Sequence, residues 1–191
     1  MLRRLRIIVL VVILALVLGG CKDMFISDEF LKIMEEDSTS MQEIWEIEDQ
    51  QEFISQLSMY IGKKCDYGSN LDALSHEEKV FYITQILEME VNNGGFWQFL
   101  YNVESDVYSN AVSAFFEIGA EKTAEVCQSA FSAFHAELPL DRSARVDFLS
   151  KTGMEKCYEI LSVYDDMFCD YEEDLNELNY IYVQNHADAF S

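Results

Sequence analysis

Apolar side chains recur at helical spacing along most of the chain, and this pattern constrains the fold more than any other feature. Val80, Ile83, Leu87 and Val91, for example, fall at offsets 0, 3, 7 and 11, which places them on one face of a helix. Pro139 is the only proline in the sequence, so little else in the chain would interrupt a helix. No stretch shows the strict alternation that is typical of a half-buried strand. The sequence therefore predicts an all-α, single-domain multi-helix bundle.

Capping residues predict where several helices begin. A capping box, in which Ser or Thr is followed three residues later by Glu, starts at Ser40, Ser75 and Thr152. The first box is expected to open a helix that runs to about Lys64, and Asp141 is expected to cap a short helix.

Two further boundaries concern the second half of the chain. The C-terminal helical region is expected to break once between Ser162 and Glu173. Another helix is expected to run up to Pro139, because its apolar face extends through Ala124, Cys127, Phe131, Phe134 and Leu138.

The first residues have the pattern of a targeting segment. Three arginines within residues 3–6 precede an apolar run, Ile7 to Leu18, whose 12 residues are too few to span a membrane. The next residues, Leu18-Gly19-Gly20-Cys21, resemble the lipobox of bacterial lipoproteins. The resemblance implies a signal peptide at residues 1–20 and a lipid anchor on Cys21, with palmitate among its acyl chains. Composition and helical periodicity predict an acidic tether and short helix at residues 21–40 and a helical domain at residues 41–191.

The lipoprotein interpretation implies a location as well. Lipid on Cys21 would hold the chain on the extracytoplasmic side of a membrane in the bacterial cell envelope. Lys22 stands where inner-membrane lipoproteins of Gram-negative bacteria carry aspartate, so the outer membrane is favoured in such a cell. An ordinary cleaved signal with a chance cysteine, or an uncleaved anchor, are the alternatives.

The chain is strongly acidic. It has 13 Lys and Arg against 35 Asp and Glu, and removing the three signal arginines leaves ten against 35, a net charge of about −25. Such a surface repels nucleic acid and anionic lipid, and it favours basic partners, cations or plain solubility. Half of the residues are nevertheless apolar, which excludes a disordered acidic tail.

Four cysteines remain if Cys21 is lipidated: Cys65, Cys127, Cys157 and Cys169. Disulfides are possible in an exported chain, but buried free thiols explain the same residues equally well. Cys157 and Cys169 would lie about 18 Å apart on a continuous helix, too far to bridge. A disulfide would then join Cys65 to one of them.

The segment EVNNGGFWQFLYN, residues 90–102, combines two glycines with three asparagines and four aromatic residues. One interpretation is structural: a helix ends near Asn92, Asn93 and a glycine adopt left-handed conformations, and a short helix follows. The other is a binding corner, which would be formed by Glu90, Asn93, Trp97, Gln98 and Asn102. The spacing leaves open whether these side chains brace the chain or hold a ligand, with Trp97 as an exposed anchor.

The same segment resembles the E-V-x-N-G-G-F-x-Q-F signature of a helical domain family of DNA-mimic-like proteins. Two other stretches agree with that family, AVSAFFEIGAEKTAEVCQSAF and the acidic YDDMFCDYEEDLNELNYIYVQNHADAF, so the resemblance extends from about Glu43 to Phe190. It implies an all-α fold and capture of a DNA-binding protein by surface carboxylates. An exported domain cannot reach such proteins in the cytoplasm, so we expect the fold to carry over and DNA mimicry only if the signal is not functional.

A row of carboxylates near the C-terminus is the candidate face for a basic partner. Its members are Asp165, Asp166, Asp170, Glu172, Glu173, Asp174 and Glu177.

Familiar catalytic and metal motifs are absent from the sequence. There is no Gly-x-Ser-x-Gly, His-Glu-x-x-His or phosphate-binding glycine loop, and the acids lack the spacing of a calcium loop. His76, His135 and His186 are scattered. We therefore expect no enzymatic activity, no cofactor and no metal.

The sequence leaves three functional hypotheses. The first is a lipid-anchored acidic domain that binds a basic protein, with an immunity or inhibitor role as its concrete form. The second is a small polar-ligand or hydrolytic site at the Asn-Gly-Gly-Phe corner. The third is DNA mimicry in the cytoplasm.

Overall fold

The computed structural model describes residues 39–191, and all regular structure in that range is helical, which confirms the all-α prediction. The predicted signal peptide, Cys21 and nearly all of the predicted tether lie outside the described residues. Short 3₁₀ turns occupy Asp66–Gly68, Leu71–Ala73 and Ala187–Ala189. The eight α helices of the described range are α1 (Met41–Trp45), α2 (Gln50–Lys64), α3 (His76–Asn102), α4 (Ser105–Glu117), α5 (Glu121–Phe131), α6 (Arg142–Thr152), α7 (Met154–Cys169) and α8 (Leu175–Asn185).

Helix α3 is the centre of this bundle. It packs against α2, α4, α6, α7 and α8, and the predicted apolar face at Val80, Ile83, Leu87 and Val91 is buried throughout. Burial of such a face removes apolar surface from water. This stabilises the folded state by about 25 cal/mol for each Å² buried, and it is the main favourable contribution to folding. The segment 90–102 is the C-terminal part of α3, so the packing of α3 in the core fixes its position.

The predicted capping box at Ser75 starts α3. Its hydroxyl accepts a hydrogen bond from the N–H of Glu78, and the Glu78 carboxylate accepts the N–H of Ser75 at 2.9 Å. The same buried carboxylate pairs with Lys64 at 2.8 Å, and Lys64 also donates to the carbonyl of Ser191. Glu78 of this capping box thereby connects α3 with α2, and its partner Lys64 adds a link to Ser191.

Two predicted boundaries and one predicted cap are wrong. The helix from Ser40 stops at Trp45, since Asp49 caps a new helix by accepting the N–H of Glu52. Helix α5 ends at Phe131, well before Pro139. No capping box forms at Thr152, whose hydroxyl donates to the Phe148 carbonyl.

Other boundaries are confirmed. Asp141 caps α6 by accepting the N–H of Ala144 at 2.8 Å, and the C-terminal region breaks after Cys169, within the predicted interval. Among residues 39–191, no helix combines the length and the apolar character that crossing a membrane requires.

The four cysteines of the domain are free thiols, so the structure contains none of the disulfides that were one of the two predicted alternatives. Cys65, Cys127 and Cys157 are buried in the core, where they act as small apolar side chains, and Cys169 is exposed at the end of α7. Cys157 and Cys169 lie on one continuous helix, the arrangement for which the sequence excluded a bond between them.

Candidate functional site

The segment 90–102 contains a kink in α3 at which two helical stretches meet, which agrees with the predicted end of one helix and the start of a short second one. Gly95 has φ 71° and ψ −179°, a conformation that is essentially restricted to glycine, and Gly94 has φ −162° and ψ 25°. The prediction of a left-handed Asn93 is wrong, because the only non-glycine residues with positive φ in the described range are Asp66, Tyr67 and Tyr171. We refer to Gly94 and Gly95 as the glycine kink.

Three of the predicted corner residues brace the kink from one side. The Asn102 amide donates to the Glu90 carboxylate at 2.9 Å, and the Gln98 amide interacts with the same carboxylate. Gln98 also lies directly over Gly94, where any added side chain would overlap its amide. Burial raises the pKa of Glu90, and the bonds from Asn102 and Gln98 oppose that effect. These groups are therefore used within the protein, across the two halves of α3.

Asp165 braces the kink from the neighbouring helix. Its carboxylate accepts the N–H of Phe96 at 2.7 Å, and it satisfies one of the donors that the start of a helical segment leaves without an intrahelical partner. Burial raises the pKa of Asp165, with a further contribution from Asp166, and the bond from Phe96 opposes it. The sequence placed Asp165 on the candidate partner face, but its carboxylate is turned to the kink.

A tyrosine adds a second link between the kink and the segment that follows α7. Tyr171 donates its hydroxyl proton to Glu88 at 2.9 Å and accepts from the Asn92 amide at 2.6 Å. Burial raises the pKa of Glu88 and raises that of Tyr171 to about 12. Tyr171 itself adopts φ 46°, an uncommon conformation for a residue with a bulky side chain.

The remaining two corner residues differ. Trp97 is half-buried, with its ring stacked on Tyr101 at a centroid distance of 5.1 Å and tilted against Tyr158 at 5.6 Å. Asn93 is half-buried, and its side chain makes no hydrogen bond within residues 39–191. Of the polar groups predicted at the corner, only Asn93 thus stays available to an external partner.

A buried arginine that the sequence did not indicate holds the other end of the kinked segment. Arg145 on α6 donates to the carbonyls of Leu100 and Leu140 at 2.7 Å and of Val103 at 2.5 Å, and it lies 4.5 Å from the ring centre of Tyr108. Burial lowers the pKa of Arg145. Nothing local in the sequence marks this role, because the carbonyls it binds lie up to 45 residues away.

The carboxylates of residues 165–177, here called the acidic segment, fall into two groups. Glu173 accepts from the backbone and the hydroxyl of Thr123 and thereby caps α5, and Asp174 caps α8. Burial acts to raise the pKa of Glu173, but the bonds from Thr123 and Lys122 outweigh it and the pKa is lowered. These two acids organise helix ends.

The other acids of the segment face solvent. Glu172 pairs with Lys122 at 2.7 Å. The side chains of Asp166, Asp170 and Glu177 are exposed and make no ion pair in the part of the chain that the structure describes.

The described residues contain no cluster of three or more His, Cys, Asp or Glu side chains arranged to hold a metal ion. His76 lies on the rim of a cleft of about 240 Å³, where it contacts Glu117 at 2.8 Å. Glu117 also accepts from Tyr182 at 2.7 Å. This network joins α3, α4 and α8.

Comparison with known families assigns the chain. A family described as DMP19-like protein matches residues 72–186, more than half of the chain, including the glycine kink and the acidic segment. The chain belongs to the DMP19-like family. The resemblance to DNA-mimic-like helical proteins that the sequence indicated is thereby confirmed. No curated protein and no solved structure matches the chain.

Membership of the DMP19-like family locates the shared part of the molecule. The match begins in the turn before α3 and ends directly after α8, so it includes the whole of α3 and the helices that brace its kink. Helices α1 and α2 lie outside it.

Proposed function

We propose that this DMP19-like protein is a non-enzymatic domain that binds a basic protein partner through exposed carboxylates. The observation that carries the proposal is the acidic segment, where Asp166, Asp170 and Glu177 stay exposed after other acids are used at helix ends. Lys122, the cation beside them, is already paired with Glu172. The electrostatic field of this segment is therefore negative, and it would attract the cationic surface of a partner.

Family membership supports a protein partner in preference to a nucleic acid. In a DNA-mimic-like family, carboxylates stand where phosphates would stand, so the surface attracts proteins that carry basic sites. The net charge of −22 for the full chain acts in the same direction, because it repels a phosphate backbone.

The cell envelope is the proposed place of binding. The pattern of residues 1–21 supports a lipid anchor on Cys21, and an anchored acidic domain would meet basic proteins that are outside the cytoplasm. An immunity or inhibitor role is the concrete form of this proposal, in which the carboxylates neutralise the cationic surface of a toxin or an enzyme.

Cytoplasmic DNA mimicry is the second candidate, and family membership favours it. It requires a chain that is not exported. Whether the signal peptide is processed therefore decides between an envelope function and cytoplasmic DNA mimicry. A polar-ligand site at the glycine kink has less support, because Glu90, Gln98 and Asn102 are occupied with one another.

The test compares two variants of equal charge. The first replaces the exposed acids of the segment, as Asp166→Asn, Asp170→Asn and Glu177→Gln. The control replaces three exposed acids near α1 and α2 that lie outside the family match, as Glu46→Gln, Glu48→Gln and Glu52→Gln. Each variant removes three negative charges, so general electrostatics change equally.

Full-length protein in neutral detergent is immobilised, and binding of proteins from an envelope extract is measured at low and high salt. We expect the first variant to lose about tenfold in affinity for the salt-sensitive partner and the control to keep it. Equal effects of the two variants, or binding that ignores salt, would contradict the proposal.

A further inference from the structure

A groove between α5 and α7 lies beside the acidic segment. It has a volume of about 300 Å³, and its apolar lining is formed by Val126, Met167 and Phe168. Phe168 belongs to the core, whereas Met167 is 48% exposed. The groove therefore offers an apolar floor to solvent.

The rim of the groove is acidic. Glu125, Asp170 and Glu172 line it together with Lys122, whose ammonium lies 2.7 Å from the Glu172 carboxylate. That ion pair offsets the only positive charge on the lining, so Glu125 and Asp170 give the rim its net negative charge.

The apolar floor continues along α7. Val163 is 54% exposed and precedes Met167 by four residues, so the two side chains lie on the same face about 6 Å apart along the helix. A groove that binds an amphipathic helix offers apolar contacts to the apolar face of that helix. Val163 and Met167, with charged residues beside them, have this arrangement.

We infer that the groove between α5 and α7 docks an amphipathic basic helix of a protein partner. Apolar side chains of that helix contact Met167 and Val163, and its Lys or Arg side chains reach Glu125 and Asp170. Charge complementarity selects this occupant, since an acidic or neutral helix would leave the rim carboxylates without partners. The inference rests on the proposed function and adds that affinity needs an apolar anchor as well as charge.

The probe is a pair of synthetic helical peptides with identical Lys and Arg content. One carries leucines at i, i+4 and i+7, with a photoreactive leucine at i+4, and the other carries glutamine at i and i+7 beside the same photoreactive residue. Binding to the full-length protein in neutral detergent is measured by fluorescence anisotropy, and the crosslinks are mapped by mass spectrometry. Crosslinks to the protein separate binding in the groove from partition into micelles.

The variant Met167→Gln is paired with the control Ile181→Gln, which makes the same change at an apolar residue of similar exposure on α8. We expect the leucine peptide to bind about tenfold more tightly than the glutamine peptide. We expect Met167→Gln to abolish that difference and Ile181→Gln to preserve it, with crosslinks confined to residues 122–129 and 163–170.

Different failures have different meanings. Equal binding of the two peptides, an unaffected Met167→Gln variant or crosslinks elsewhere would overturn the groove proposal and leave the proposed function standing. Absence of salt-sensitive binding by both peptides would overturn both. A Met167-dependent dimer in sedimentation equilibrium that excludes the peptides would show that a second copy occupies the groove, and would also overturn the proposal.

Discussion

The carboxylate of Asp165 on α7 caps the second half of α3 by accepting the N–H of Phe96 at 2.7 Å. The two residues are 69 positions apart, so this helix start is capped in three dimensions and not by a neighbour in sequence. At the other end of the same segment, Arg145 binds the carbonyls of Leu100 and Val103. Helices α6 and α7 thus hold the direction of the chain after the glycine kink.

Replacement of Gly95 by alanine should test how tightly this cap fits. An added Cβ would lie 2.6 Å from a carboxylate oxygen of Asp165, and the backbone has φ 71°. Strain and overlap together should lower the free energy of unfolding by about 3 kcal/mol or more. Urea titration followed by circular dichroism measures the loss.

Gly119→Ala is the matched control for Gly95→Ala. Gly119 has φ +85°, but nothing lies within 4 Å of an added Cβ, so only the backbone cost of about 1–2 kcal/mol applies. Equal losses in the two variants would show that the Asp165 contact contributes nothing.

The glycine kink should make stability depend on pH through Glu90. The pKa of Glu90 is raised above 4.5 by burial, so the folded state binds the proton more tightly than the unfolded state does. This contribution is present below pH 4.5 and is lost as the pH rises through the folded pKa. Glu90→Gln should therefore lose less stability than the unmodified protein between pH 4.5 and neutrality, as urea titrations across that range would measure.

Glu43→Gln is the control of opposite sign. Hydrogen bonds from Ser40 lower the pKa of Glu43, so its contribution appears as the pH rises and is lost as the pH falls through the folded value. A change of the same sign in both variants would contradict the assignment.

The sequence predicted what local periodicity and capping determine. The buried face of α3 and the caps at Ser75 and Asp141 depend on residues three or four positions apart, and the structure confirms them. Family resemblance was likewise readable, because the Asn-Gly-Gly-Phe segment is contiguous.

The sequence could not show which carboxylates are used internally. Asp165 and Glu173 look like any other member of the acidic segment, yet their partners, Phe96 and Thr123, are 69 and 50 residues away. The end of α5 at Phe131 was also missed, because the apolar spacing continues through Phe134 and Leu138 although the structure is not helical there. Long-range hydrogen bonds decided the roles of Asp165 and Glu173.

Arg145→Met should be among the most destabilising single changes in the domain. It removes a fully buried guanidinium and leaves the carbonyls of Leu100, Val103 and Leu140 without that donor, at a cost of about 3–5 kcal/mol. Thermal and urea unfolding measure the effect. Arg142→Met, which breaks only a 3.6 Å surface pair with Glu104, should cost about 1 kcal/mol or less. A similar loss of stability in the two variants would contradict the stabilising role of the Arg145 hydrogen bonds.

The last prediction is lipid attachment at Cys21, and its test distinguishes an envelope function from cytoplasmic DNA mimicry. A thiol next to Gly19 and Gly20, after the apolar run of residues 7–18, has the pattern of the acceptor for lipid in bacterial lipoproteins. Cells fed a clickable palmitate analogue should label the protein, and Cys21→Ser should abolish the label. Cys169→Ser, which removes the exposed thiol of the domain, should leave the label unchanged. If the unmodified protein takes no label and stays in the cytoplasm, the anchor is wrong, and the exposed carboxylates would then face basic DNA-binding proteins in the compartment where mimicry can operate.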